Sequence, residues 1–138
     1  MDISVTPANV AQGSNAIIGT GTAGETILAG QSIYKDTADS KYKLADADAA
    51  ATAEAAGIAL NGASDTQPLD FVKFGDIDPG GTVVVGELYM VSKTAGGIAP
   101  ITDLGQGDYA TVLGIGTTAS NIKIKIVTSG VAAGVVSY

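Results

Sequence analysis

Asn121-Ile122-Lys123-Ile124-Lys125-Ile126-Val127 alternates apolar and charged residues with a period of two. Successive side chains of a strand point to opposite faces, so Ile122, Ile124 and Ile126 look one way and Lys123 and Lys125 the other. One face is core and the other wet, which suits an antiparallel sheet. Pro68-Leu69-Asp70-Phe71-Val72-Lys73-Phe74-Gly75 has the same character, and Tyr109-Ala110-Thr111-Val112-Leu113-Gly114-Ile115 adds a further strand. Shorter β-branched runs at 26–29, 32–35, 57–60, 82–85 and 87–92 also read as strands. Asp78-Pro79-Gly80-Gly81 and Ala95-Gly96-Gly97 read as turns. The expected fold class is mainly all-β.

The two alternating strands each close one half of a duplicated chain. Thr26-Ile27-Leu28-Ala29-Gly30 resembles Thr82-Val83-Val84-Val85-Gly86, and Ile33-Tyr34 is followed by its match at Leu88-Tyr89. Leu44-Ala45-Asp46 matches Ile101-Thr102-Asp103, and Gly57-Ile58 matches Gly114-Ile115. The matched blocks keep their order. This divides the chain into an N-terminal arm (1–23), a single β-domain (24–130) of two internal repeats (24–79 and 80–130), and a C-terminal tail (131–138). One repeat has too few strands to stand alone, so two similar tandem β-units packed as a small sandwich or barrel are expected. Asp46 to Ala56 (DADAAATAEAA) departs from the pattern. Its helix propensity is high, and it reads as one short helix near 46–56 or as an Ala-rich loop.

The 138 residues contain 14 acidic and seven basic side chains, a net charge of −7. All the basic residues are Lys; there is no Arg, His or Cys. No Ser–His–Asp or Cys–His nucleophile can be assembled, and the commonest metal ligand and general base are missing. Bidentate phosphate and guanine recognition is missing with Arg. The negative charge disfavours nucleic acid and anionic membranes and favours a partner with a basic surface. These features predict no enzymatic activity, no catalytic residue, no cofactor and no metal. The first residues lack the basic and apolar regions of a secretory signal, and no apolar run is long enough for a membrane-spanning helix. The apolar residues are mostly Ala, Val and Ile, with two Phe and no Trp. So thin a core predicts association with other chains.

Several motifs compete with this reading. Gly19-Thr20-Gly21-Thr22-Ala23-Gly24 fits G-x-G-x-x-G, but the β-branched Glu25-Thr26-Ile27-Leu28 that follows is no helix N-terminus to meet a pyrophosphate. Asp36, Asp39, Asp46 and Asp48, and separately Asp76 and Asp78, could supply Ca²⁺ oxygens, but EF-hand spacing is absent and Asp in loops ordinarily caps turns. Asp36-Thr37-Ala38 lacks the Gly of the aspartic-protease triplet. Tyr34 and Tyr89, at matching positions, read as packing at equivalent places in the core or as interface residues. The arm, with Ile3, Val5, Ile17 and Ile18, reads as an extended strand donor to a neighbouring subunit or as a flexible terminus.

The stretch Ala23-Gly24-Glu25-Thr26-Ile27-Leu28-Ala29-Gly30-Gln31-Ser32-Ile33-Tyr34 resembles the head decoration, or capsid cement, proteins of tailed bacteriophages. So do Ala55-Ala56-Gly57-Ile58-Ala59-Leu60-Asn61, Gly96-Gly97-Ile98-Ala99-Pro100 and the segment from Gly107-Asp108-Tyr109 to Leu113-Gly114. The likeness runs from about residue 9 to 130. It implies a virion structural protein made in the host cytoplasm that binds the major capsid protein on the outer surface of the expanded head. Such proteins usually act as homotrimers and hold adjacent capsomers together. The family carries no catalytic motif to transfer. The alternative reading is a phage fibre or tail-spike module that binds a host surface glycan, although the aromatic platform such a site uses is sparse here.

Overall fold

The structure, a computed structural model, describes residues 2–132. It is mainly β, and its ten strands form a curled antiparallel sheet of half-barrel form. In chain order these are β1 (Val10–Gln12), β2 (Ile17–Thr22), β3 (Ser32–Asp36), β4 (Lys41–Leu44), β5 (Ala55–Ala59), β6 (Pro68–Pro79), β7 (Leu88–Val91), β8 (Ile98–Pro100), β9 (Tyr109–Gly116) and β10 (Ile122–Ala132). Two 3-10 turns, Pro7–Asn9 and Ile101–Asp103, complete the set. Of the expected tail (131–138), residues 131 and 132 continue β10 and the rest lies outside the described residues.

The order across the sheet is β4-β3-β5-β6-β10-β9-β7-β8. It reads the same from either edge inward: a hairpin, then the third strand beside the hairpin's first, then the fourth. The two units meet where β6 pairs with β10, with Ile77 opposite Ile122. The duplication also reaches the hydrogen bonds. Gly30 N–H donates to the Ala59 carbonyl and Ala59 N–H to that of Gln31; Gly86 N–H donates to the Gly116 carbonyl and Gly116 N–H to that of Glu87. Gly30 and Gly86 both have left-handed φ, +89° and +82°, the conformation that favours glycine at this turn. Gly57 and Gly114 are matched by a different constraint. A Cβ on either would collide with a carbonyl oxygen of the next strand, that of Val72 or of Lys123.

Pairing corrects the sequence reading, or decides between its alternatives, in four places. First, Ile33 lies opposite Gly57 while Tyr89 lies opposite Gly114, so Tyr89 corresponds to Ile33 and Tyr34 to Met90. A slip of one residue changes the face: Tyr89 is buried, whereas Tyr34 is only partly so. Second, 26–29 and 82–85 are not strands but irregular segments that run into turns at 29–30 and 85–86, touched by a single bridge between Ile27 and Ala63. Ile27 and Val83 plug the cores while Leu28 and Val84 stand in solvent.

Third, no helix forms over 46–56; the segment is a string of turns leading into β5, the loop form of the reading. Its backbone is engaged elsewhere. Asp46 N–H donates to the Thr52 carbonyl, Ala47 N–H to Ser92, and the Ala47 carbonyl accepts from Tyr109 N–H. Ala45, Ala47 and Ala53 are buried by this crossing to the second unit, so tertiary packing overrides helix propensity.

Fourth, the arm is extended but folds onto its own chain. β1 pairs with residues 77–79 of β6 and β2 with residues 68–74. β2 leads into the first repeated turn as the end of β6 leads into the second. The repeat therefore begins at β2, and β6 serves both units.

A large core spans the units and includes Ile58, Val72, Ile77, Leu113, Ile122 and Ile124. A smaller one, built on Ile27, Ile33, Leu69 and Phe71, belongs to the first unit.

Candidate interaction surface

The structure does not gather the six expected interface residues. Ile3 and Ile18 pack against the large core, and Val5 is half-buried. Ile17 is exposed opposite Phe74, its also exposed partner on β6. Tyr34 lies partly buried on β3; burial, and then the nearby Asp36 carboxylate, push its hydroxyl pKa up. Tyr89 is internal, and its hydroxyl accepts the Val84 N–H at 2.9 Å, which pins the second repeated turn. Ile3 and Tyr89 both line an open groove of about 1020 Å³, together with Asp78, Thr82 and Glu87.

Comparison of the two units identifies a surface that the sequence reading missed. Ile58 pairs with Val72, and both are fully buried in the large core. The corresponding pair in the second unit, Ile115 and Lys123, faces solvent, with Ile115 41% exposed. Further along β10 from Lys123, Val127 is 56% exposed. The turn beside Gly116 adds Val84 at 58% and Val85 at 65%. At the Ile115–Lys123 pair the second unit thus shows water the face that the first unit buries at Ile58 and Val72, whereas Val84 is exposed like its counterpart Leu28. The available signal was Val83-Val84-Val85, three apolar residues in a row with no alternation: such a run cannot be buried on one face only.

The acidic residues serve local structure. In the β3–β4 hairpin Lys43 Nζ lies 2.7 Å from Asp36 and 3.2 Å from Asp39. Asp36 also accepts the Ala38 N–H, and Asp39 the Lys41 N–H. The hydrogen bond from Lys43 holds the Asp36 carboxyl below its ordinary pKa; for Asp39 the backbone bond is the larger cause. Both carboxylates in turn raise the pKa of the Lys43 ammonium. Asp46 accepts the Asp48 N–H, and burial pushes its pKa up. Among the described residues no group of three or more His, Cys, Asp or Glu is placed to hold a metal ion. The Gly19–Gly24 motif lies in and just after β2, and Gly19 sits against the Phe71 ring, so it cradles no phosphate at a helix. No helix of the described residues is long and apolar enough to cross a membrane.

These features define a duplicated β-rich domain with an unequally covered surface. No known protein family, curated protein or solved structure matches the chain.

Proposed function

We propose that this chain is a virion structural protein that decorates the outer surface of a tailed-phage capsid, binding the major capsid protein and cementing adjacent capsomers as a homotrimer. The supporting observation is the exposed face of the second unit, with Ile115 in water where its counterpart Ile58 is buried, and with Val84, Val85 and Val127 also exposed. Exposed apolar surface of this kind marks a contact with another molecule. The resemblance of residues 23–34, 55–61, 96–100 and 107–114 to decoration proteins names the capsid as that molecule. The net charge of −7 suits a basic docking surface and disfavours nucleic acid and membranes. A ligand selective for the expanded shell stabilises it by mass action, by about 2.7 kcal/mol per site at 100 times Kd.

The test is to add purified protein to expanded heads that lack it. Microscopy should show saturable binding on the outer surface at a fixed copy number, and the loaded heads should retain DNA to higher temperature. Val85→Asp and Ile115→Asp should each weaken binding at least tenfold. Protein that leaves heads bare and is found only at the tail tip would replace this reading with the fibre alternative.

A further inference from the structure

The two units close differently, and the difference lies in one short segment. In the first unit Gly24 N–H donates directly to the Tyr42 carbonyl at 2.7 Å, so β4 closes on the chain that leaves β2. The corresponding residues of the second unit are Gly80 and Ile98, as shown by Tyr42 opposite Lys35 and Ile98 opposite Val91 in the two hairpins. These two do not bond to each other. The Ile98 carbonyl accepts from Ile3 N–H, and the Gly80 carbonyl from Thr6 N–H, each at 2.8 Å. Residues 2–6 therefore run between the two edges, with one backbone hydrogen bond to each. Ser92 Oγ donates to the Asp2 carboxylate at 2.8 Å, Ser92 itself being buried, and Ile3 packs against the large core. Only the 3-10 turn Pro7–Asn9 separates this segment from β1.

We propose that this slot is an exchange site between copies of the chain, residues 2–6 of one copy filling the slot of the next. The first unit shows that the repeat closes without an inserted segment, so the segment is not demanded by the fold. Its contacts are one backbone bond on each side, the Asp2 carboxylate, Ile3, and Val5 against Gly30. An identical segment from a second copy reproduces them all. Backbone pairing of this kind is the usual way an extended peptide joins a sheet. Exchange of an identical element is a low-cost route to an oligomer, and short hinge loops invite it. A ring in which each copy donates and receives one segment is closed, with no slot left empty. The proposal concerns only how copies join, so it stands or falls apart from the capsid reading.

The chain has no Cys, so introduced thiols report without background. Full-length Asp2→Cys and Ser92→Cys proteins are purified separately, mixed, and mildly oxidised. The buried thiol at position 92 is reached only by a segment seated in the slot, so the mixture should give a disulfide-linked pair that Ser92→Cys alone does not. A mixture that stays unlinked, while the double variant links within its own chain, overturns the proposal. Sedimentation of the unsubstituted chain supplies a second measurement. A mass that rises with concentration, and falls to that of one chain in Asp2→Lys, supports exchange. A single-chain mass at all concentrations, or an Asp2→Lys variant as oligomeric as the parent, overturns it.

Discussion

At the residue scale the two units are held to the same geometry by unlike side chains on like backbones. Gly57 and Gly114 each lie where the neighbouring strand's carbonyl leaves no room for a Cβ. Gly57→Ala and Gly114→Ala should each destabilise the protein by about 2 kcal/mol, the usual cost of overpacking, as read by denaturant unfolding. A neutral result at either position would mean that the strand can move aside there. The hairpin carboxylates make a pH prediction. The folded-state pKa of Asp36 is lowered, chiefly by the Lys43 hydrogen bond. Its contribution is thus present above the ordinary carboxylate value of about 3.9 and is lost as pH falls through the folded value. Lys43→Met should flatten that acid-side loss in thermal unfolding measured from pH ~5 down to ~2. Asp46, shifted upward by burial, acts in the opposite sense in both proteins, so the difference between them isolates the hairpin.

At the element scale β6 organises the molecule. Its first half lies between β2 and β5, and its second half between β1 and β10. The arm supplies one neighbour to each half and is part of the folded sheet. Deleting residues 1–18 removes β1, the start of β2 and the packing of Ile3 and Ile18. We expect a fall in Tm of more than about 10 °C by circular dichroism, since each kcal/mol is worth several degrees in a domain of this size. An unchanged Tm would mean that the arm is only laid on the surface.

At the scale of the whole molecule the large core draws on both units: Ile58 and Val72 come from the first, Leu113, Ile122 and Ile124 from the second. The Ala45–Ala47 crossing binds the units further through Ser92, Gly96 and Tyr109. Unfolding should therefore be one cooperative transition, with fluorescence and circular dichroism giving coincident midpoints. Two separated transitions would show that the repeats are independent domains.

The sequence by itself determined the all-β class, the strands at 32–35, 68–75, 109–115 and 121–127, and the order in which similar blocks recur. Period-two alternation and the need for small residues at tight turns are local properties, legible without knowing what lies opposite. Tertiary structure alone decided the rest. It placed the start of the repeat at β2, set Tyr89 on Ile33 and turned Asp46–Ala56 into a buried crossing. It also chose Ile115 over Ile58 to face water. Each of these depends on which distant strand supplies a hydrogen-bond partner or covers a face. Two units that share only short similar blocks cannot reveal that one packs on the flank of the other and leaves the matching flank bare.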